Sequence, residues 1–191
     1  MSFLRRVSIP KEFRKLGEET IREQYAALCY RVVNDKVRIL LITSRGTKRW
    51  IVPKGWPMSK KAPHEAALTE AAEEAGVIGR VRKEPLGHYT YYKLMDNGTE
   101  IPCVGTLFPV HVRLLRAEYP EANERDRKWF SHKKAAKKVD EPELAELIRK
   151  ALVPPKRRIA TKPTRGSIKR RLETKKQRGE VKATRGKIKP E

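Results

Sequence analysis

GWPMSKKAPHEAALTEAAEEAGV, residues 55–77, is the stretch of sequence that decides how this chain folds. Pro63 suits the first position of a helix, because its missing N–H would have no partner there. Gly76 suits the left-handed position that ends a helix. The stretch therefore predicts a helix over residues 63–75.

Three glutamates lie on one face of this predicted helix. At ~100° per residue, Glu73 and Glu74 both fall within about 60° of Glu70. Leu68, Ala72 and Ala75 lie opposite and are predicted to be the core face. Like charges three and four residues apart repel each other. The face is either a solvated acidic surface or a site where a divalent cation relieves the repulsion.

The stretch resembles the signature of the Nudix hydrolases, G-x5-E-x7-R-E-U-x-E-E-x-G-U, in which U is a bulky aliphatic residue. The matching positions are Gly55, Glu70, Glu73, Glu74, Gly76 and Val77. Three positions depart, since Lys61 replaces the first Glu, Thr69 the Arg and Ala71 the aliphatic residue. The resemblance implies that the lost Glu and Arg brace the loop and helix, so we expect a less rigid helix and slow turnover.

The periodicity of the remaining chain predicts an α+β fold. Strands are predicted at 23–33, 37–43 and 49–52 before the helix, and at 80–83, 88–93, 104–114 and 127–131 after it, with helices at 133–139 and 141–153. Asn97-Gly98 predicts a hairpin turn. The resemblance covers residues 23–152 and implies a Nudix-type α/β/α sandwich with a mixed sheet. ITSRGTKRWIVPKGW, residues 42–56, looks most like the diphosphoinositol polyphosphate phosphohydrolase branch.

The resemblance also implies a catalytic metal site. Mg²⁺ prefers oxygen ligands, and Glu70, Glu73 and Glu74 are the implied catalytic and metal-binding residues. A backbone carbonyl at Gly55, or at the adjacent lysine, completes the implied set, and Mn²⁺ accepts the same ligands. Glu70 is the first choice of general base, and Glu124 is an alternative outside the signature.

Three cations resemble the substrate-phosphate residues of the phosphohydrolase branch. They are Arg45, Lys54 and Arg127, the last with Lys128 as an alternative. Each is otherwise an ordinary exposed cation. Trp56 either stacks on a base or packs locally. The four histidines lack metal-ligand spacing, and no role is assigned to them.

Composition indicates anionic partners, because the formal net charge of the 191 residues is +22. Cys29 and Cys103 lie in apolar runs and are predicted to be buried free thiols. No apolar stretch approaches the ~20 residues of a membrane span. We therefore expect a soluble protein of the cytoplasm that acts on a phosphorylated small molecule.

The chain is predicted to have three parts: a basic N-terminal extension at 1–22, the Nudix domain at 23–153 and a Lys/Arg-rich tail at 154–191. The tail holds 15 Lys or Arg residues against 3 Glu, a composition that predicts disorder. It is either a solubilising extension or a non-specific nucleic-acid contact.

Two functions follow from these observations. The first is a metal-dependent pyrophosphohydrolase that cleaves a diphosphate linkage in a nucleoside diphosphate derivative, a dinucleoside polyphosphate or a diphosphoinositol polyphosphate. The alternative is a catalytically weak or inactive module that binds RNA or DNA through the tail. A hybrid of the two has an RNA 5′-polyphosphate or cap as its substrate.

Overall fold

A computed structural model describes residues 13, 15–17, 20–95, 97–150 and 164–184. The chain divides into two compact units, Met1–Pro154 and Pro155–Glu191. In the first unit the strands are β1 (Arg22–Val33), β2 (Lys36–Thr43), β3 (Trp50–Ile51), β4 (Lys54–Gly55), β5 (Val77–Val81), β6 (Gly87–Leu94), β7 (Glu100–Leu115) and β8 (Arg127–Ser131). The helices are α1 (Pro63–Ala75), α2 (His132–Ala135) and α3 (Pro142–Lys150), and the second unit contains α4 (Arg165–Ala183).

The sheet is mixed, as predicted. Its strand order is β3-β2-β1-β7-β5, and β4, β6 and β8 pair with β1, β7 and β2 respectively. β1 and β7 run parallel, and the other strand pairs are antiparallel. β7 is long enough to pair with both β5 and β6, and the predicted hairpin joins β6 to β7.

Apolar layers cover both faces of the sheet. One core cluster contains Leu144 and Ile148 of α3 together with Leu28 and Leu107 from the sheet. The other contains the alanines of α1 packed against Ile42 and neighbouring strand residues. Since helices lie on both faces, the predicted α/β/α sandwich is confirmed.

Helix α1 begins and ends as the sequence predicts. Pro63 is its first residue, and the Glu65 carboxylate accepts a hydrogen bond from the Ala62 N–H at 2.9 Å. Gly76 ends the helix with a φ of 64°, and its N–H donates to the Ala72 carbonyl at 3.0 Å. Local backbone chemistry is therefore sufficient to fix this element.

The buried face of α1 differs from the prediction of Leu68, Ala72 and Ala75. The residues that are buried are Ala66, Ala67, Ala71, Glu74 and Ala75. Ala75 is buried as predicted, and the partly buried Leu68 packs against the same cluster, while small alanine side chains let the helix lie close to the sheet. At ~100° per residue, Glu74 falls in the middle of this face. The acidic face and the core face therefore overlap.

Other boundaries shift by a few residues, and one strand was not predicted. β5 starts at Val77, directly after the helix cap, and α2 is shorter than predicted. The two-residue strand β4 pairs with β1 through Tyr25↔Gly55 and Ala26↔Lys54. Cys29 and Cys103 are buried free thiols, as expected. In the described residues, no helix combines the length and apolarity that a membrane crossing requires.

The tail has a helix where the sequence predicts disorder. α4 begins after Thr164, whose hydroxyl oxygen accepts a hydrogen bond from the Ser167 N–H at 3.3 Å. Its Lys, Arg, Glu and Gln residues favour helix, and none of its residues is buried. Residues 151–163 and 185–191, and most of the predicted N-terminal extension, lie outside the described residues.

Candidate active site

Gly55 lies directly against the carboxylate of Glu70. The pairing of β4 with β1 carries the glycine beneath α1. A Cβ atom added at Gly55 would lie 1.8 Å from Glu70 Oε1 and 2.0 Å from Glu70 Cδ. Only glycine allows this close approach, so the backbone at residue 55 and the Glu70 side chain form one site.

Glu70 lies in a strongly negative environment. Its pKa is raised to about 7, first by burial and then by the negative charges of Glu74, Glu73 and Glu121. The positive charge of Lys93 opposes this shift. A carboxyl group with a pKa near neutrality exchanges protons readily at physiological pH. The general-base role that the resemblance implies for Glu70 stays a prediction.

Glu74 is buried, with 6% of its surface exposed. Its Oε2 accepts the Lys54 backbone N–H at 2.9 Å, and its Oε1 accepts a hydrogen bond from Arg125 Nη2. Burial raises the pKa of Glu74, while the positive charges of Arg125 and Lys54 oppose the shift. The carboxylate is thus held between strand β4 and a buried guanidinium.

Glu73 is exposed on the same helix, and its carbonyl accepts the Glu121 N–H at 3.2 Å. Glu121 lies between β7 and β8, and its charge raises the pKa of both Glu70 and Glu74. Sequence analysis missed Glu121, because it lies outside the signature and the chain fold alone carries it to the helix.

The acidic residues fit a hard divalent cation in chemistry, although they do not form a closed ligand set. Among the described residues, no three His, Cys, Asp or Glu side chains lie close enough together to hold a metal ion. Two observations favour a cation: the backbone cradle at Gly55 against Glu70, and the mutual repulsion that raises the Glu70 pKa. Oxygen donors are the ligands that Mg²⁺ and Mn²⁺ accept.

Two of the three departures from the signature contact each other. Lys61 Nζ donates a hydrogen bond to Thr69 Oγ1 at 2.8 Å, and that hydroxyl donates to the Glu65 carbonyl at 3.0 Å. The loop before α1 is therefore tied to the helix by a neutral acceptor and an exposed ammonium. Such a contact is weaker than a bidentate ion pair.

Arg45 and Lys54 differ in how far their side chains are buried. Arg45 is exposed and forms a surface ion pair with Glu124 at 3.5 Å, so Glu124 has a surface partner. Lys54 is part-buried, and its ammonium lies 5.3 Å from the centroid of the Tyr91 ring. Burial lowers the Lys54 pKa to about 8. Both cations remain candidates for phosphate binding.

Arg127 has other partners. Its Nη1 donates to the Ala75 carbonyl and its Nη2 to the Arg116 carbonyl, both at 2.7 Å. The guanidinium also lies 4.7 Å from the centroid of the Tyr119 ring. A cation at the C-terminal carbonyls of a helix is a stabilising contact. We therefore leave Arg127 out of the substrate site, because its donors hold the end of α1.

Lys93 and Trp56 form a cationic and aromatic rim beside Glu70. Lys93 Nζ lies 4.3 Å from the centroid of the Trp56 ring, and its charge acts on Glu70 and on Lys54. Trp56 follows Gly55 directly and is 37% exposed. Sequence analysis left Trp56 open and missed Lys93, which a strand about forty residues away brings to the site.

The fold and the site together define an α/β/α sandwich whose acidic helix lies beside a cationic and aromatic rim. A family model of the NUDIX domain matches residues 22–151. The chain belongs to this family, and the resemblance seen in residues 55–77 is confirmed.

Curated relatives cover part of the chain. Nudix hydrolase 13, mitochondrial, of Arabidopsis thaliana is 33% identical over 107 residues, which are 53% of this chain and 52% of the relative. Diphosphoinositol polyphosphate phosphohydrolase 3-alpha of Homo sapiens is 36% identical over 72 residues, 38% of this chain and 44% of the relative. The chain thus spans about half the length of the curated relatives it matches.

Solved structures show the same fold. An Ap4A hydrolase of C. elegans superposes with a TM-score of 0.50 at 20% identity. The superposition covers 68% of this chain and 94% of the hydrolase chain. The NUDIX domain of Shewanella oneidensis NrtR, crystallised with ADP-ribose, gives a TM-score of 0.52 at 16% identity over 68% of this chain and 87% of its own. Identities this low carry the fold and nothing further.

The raised pKa of Glu70 predicts a pH-dependent stability of the metal-free protein. Its folded pKa of about 7 lies above the ordinary value of 4.5, so the protonated form favours folding. This contribution is present below pH ~4.5 and is lost as pH rises through 7. After allowance for solvent screening of a half-buried group, we expect the free energy of unfolding to fall by ~1–2 kcal/mol.

Urea unfolding between pH 5 and 8 in the presence of a chelator measures this effect. Glu70→Gln serves as the reference, because it keeps the shape of the side chain and removes its titration. The difference in unfolding free energy between wild type and variant should grow with pH. A difference that is constant with pH would contradict the raised pKa.

Proposed function

We propose that this chain is a metal-dependent pyrophosphohydrolase that cleaves a diphosphate linkage in a phosphorylated small molecule. The observation that carries the proposal is the carboxylate of Glu70 against the Gly55 backbone, next to three further acidic side chains. The NUDIX match and relatives that are themselves named hydrolases support the reaction class. The substrate classes remain a nucleoside diphosphate derivative, a dinucleoside polyphosphate and a diphosphoinositol polyphosphate.

Glu70, Glu73 and Glu74 would hold the cation, together with the backbone carbonyl at Gly55. When bound, Mg²⁺ or Mn²⁺ would neutralise the diphosphate and lower the pKa of the attacking water. Glu70 would accept the proton of that water, because its carboxylate lies against the Gly55 backbone at the proposed cation site and a general base has to lie within hydrogen-bond reach of the proton that it removes. The reaction leaves two phosphorylated products.

Lys93 and Lys54 are the cations placed to bind the substrate phosphates. Both act electrostatically on the acidic residues, Lys93 on Glu70 and Lys54 on Glu74. Arg45 is a further, peripheral candidate, since it is exposed and pairs with the surface carboxylate of Glu124. Trp56 supplies an exposed aromatic surface next to Gly55. A substrate that carries a base would stack there, and one that carries an inositol ring would not.

Substitution of the rim should separate the substrate classes. Base–aromatic stacking is worth ~1–3 kcal/mol, so we expect Trp56→Ala to raise KM by about 5- to 160-fold for substrates that carry a base. KM for diphosphoinositol compounds and for inorganic tripolyphosphate should stay within about twofold, and Trp56→Phe should restore most of the loss. Lys93→Met should raise KM for every substrate. Steady-state rates of product formation, with the phosphorylated products separated by anion-exchange chromatography, measure both effects.

Two outcomes would contradict these assignments. If Trp56→Ala impairs base-containing and base-free substrates equally, the indole supports the loop rather than the substrate. If Lys93→Met leaves KM unchanged throughout, the phosphates bind elsewhere.

The second candidate function is nucleic-acid binding by the tail, and the specific observation in its favour is helix α4. Its 19 residues hold 8 Lys or Arg against 2 Glu, and none is buried. Lys169, Arg170 and Arg171 follow one another at ~100° intervals, so basic groups point to several sides. Such a helix can lie along a phosphate backbone without reading sequence.

Replacing Arg170, Arg171, Lys175 and Lys176 by Gln tests this candidate. Each lost phosphate contact reduces the slope of log K against log[salt] by ~0.9 for duplex DNA, so the quadruple variant should lower it by up to about 3 to 4. Turnover of small substrates should stay the same. Unchanged binding to a random duplex, measured by fluorescence anisotropy, would contradict the role of α4.

Location in the cytoplasm stays a prediction. Several relatives carry the word mitochondrial in their names, which does not favour one compartment for this chain.

A further inference from the structure

Arg125 is a buried arginine outside the signature. Arginine is rarely buried unless it is paired, and 9% of the surface of this residue is exposed. All three arms of its guanidinium are used: Nε bonds to Glu121, Nη2 bonds to Glu74, and Nη1 donates to the Thr43 carbonyl at 3.0 Å. The side chain is therefore fixed in a single orientation.

These contacts join four separate segments at the acidic helix. Glu74 belongs to α1, Thr43 ends β2, and Glu121 belongs to the β7–β8 connection. The second oxygen of Glu74 accepts the Lys54 N–H at 2.9 Å, which adds β4 and thus the strand that contains Gly55. The Arg125 guanidinium and the Glu74 carboxylate together fix α1 relative to the glycine cradle.

The hydrogen bond that joins the preceding loop to α1 is weaker than the Arg125 contacts. On the loop side, Lys61 and Thr69 share one hydrogen bond at 2.8 Å that is exposed to solvent. An exposed hydrogen bond to a flexible ammonium orders a helix poorly, whereas a guanidinium fork fixes direction as well as distance. Arg125 therefore supplies the guanidinium that binds a carboxylate of this acidic helix, whereas Arg127 binds backbone carbonyls at its end.

We propose that Arg125 is a positioning residue of the active site: it holds the Glu74 carboxylate in the orientation in which Glu70 and Glu74 share one cation. The inference rests on the proposed function. A carboxylate has about four lone-pair sites. The bonds from Arg125 and from the Lys54 N–H take one on each oxygen of Glu74, and one on each stays available. Partners that orient metal ligands change metal affinity or activity by about 10- to 100-fold when they are removed.

The rival explanation is that Arg125 only neutralises a buried charge. Arg125→Lys separates the two, because it keeps the positive charge and loses the fork. Arg125→Met removes the charge at similar length. Arg127→Met is the matched control, since it removes a second guanidinium from the C-terminal end of α1, where its donors reach the Ala75 and Arg116 carbonyls and no carboxylate.

The first readout is binding of Mn²⁺ to the full chain, followed through the EPR signal of free Mn²⁺, with folding checked by circular dichroism. We expect Arg125→Lys to weaken Mn²⁺ binding by about 10-fold and Arg127→Met to leave it within about twofold. Equal binding by Arg125→Lys and wild type overturns the proposal. An equal loss in Arg127→Met also overturns it, because any damage to the helix end would then suffice.

The second readout needs neither metal nor substrate. In chelator, the urea midpoints of Glu74→Gln, Arg125→Met and the double variant form a mutant cycle. If the two side chains act as a pair, the double variant recovers most of the loss of Arg125→Met; additive losses overturn the pairing. The double variant also removes the unpaired buried charge, so it keeps the test open if Arg125→Met does not fold.

Failure of the proposed function gives a different pattern. If no polyphosphate is hydrolysed by wild type while Mn²⁺ binding follows the Arg125 series as expected, the hydrolase assignment falls and the positioning role stands. If hydrolysis is present and Arg125→Lys changes neither Mn²⁺ binding nor kcat, the hydrolase assignment stands and the positioning role falls.

Discussion

Replacing Glu70 with glutamine is expected to lower metal-dependent cleavage of the diphosphate linkage by about 10³-fold or more while the protein stays folded. The substitution removes a cation ligand and the proposed general base together, and a general base alone contributes 10²–10⁴-fold. Its raised pKa comes first from burial and then from repulsion by neighbouring carboxylates. The variant should therefore be at least as stable as wild type at pH 8 in chelator, so the loss of activity would not reflect unfolding.

Two glutamine variants control this result. Glu84→Gln removes an exposed carboxylate outside the site and should leave turnover unchanged. Glu124→Gln removes the alternative base, which pairs with Arg45 on the surface, and we expect less than a threefold loss of kcat. A large loss in Glu124→Gln, with activity retained in Glu70→Gln, would transfer the role of base to Glu124.

A single added methyl group at Gly55 should separate activity from stability. The new Cβ would lie 1.8 Å from Glu70 Oε1, so the carboxylate has to move. The atoms in the way belong to the end of a flexible side chain, which can rotate at little cost to folding. We expect Gly55→Ala to lower kcat by about 10²-fold, because a displacement of ~1 Å is enough for such a loss, with a change in Tm of only a few degrees.

Gly46→Ala is the matched control. No atom lies within 4 Å of the Cβ position at Gly46, so the same methyl group meets open space and should change neither activity nor Tm. Thermal unfolding and steady-state cleavage rates, measured on both variants, test this prediction. Full activity in Gly55→Ala would show that the backbone at residue 55 does not form the site with Glu70.

Elements fixed by neighbouring residues could be predicted from the sequence. The bounds of α1 follow from Pro63 and Gly76, and β8 matches its predicted limits because the RKWFS segment contains two aromatic residues, which favour strands. The mixed sheet follows once the order of the elements is known. The signature placed Glu70 and Gly55 on the helix and the loop before it, and the structure brings them into contact.

Residues placed by long-range packing could not be predicted. Glu121, Arg125 and Lys93 reach α1 only because β6 and the β7–β8 connection fold back to it, and nothing in their local sequence marks them. At Arg127 the motif predicted a phosphate-binding role, whereas in the structure its guanidinium donates hydrogen bonds to the Ala75 carbonyl at the end of α1 and to the Arg116 carbonyl. The burial of Glu74 depends on which alanines contact the sheet, which a helical projection alone misjudged.

The central claim is that a divalent cation at the acidic helix drives cleavage of a phosphoric anhydride. The most direct test is the formation of cleavage products, separated by anion-exchange chromatography, when the full chain is incubated with nucleoside, dinucleoside, inositol and RNA 5′-polyphosphates, with Mg²⁺ and then with excess chelator. The account predicts turnover of at least one class that chelator abolishes and added Mg²⁺ restores. Turnover of none of them, with Mg²⁺ or Mn²⁺ present, would contradict it and leave the basic tail as the functional part of the described chain.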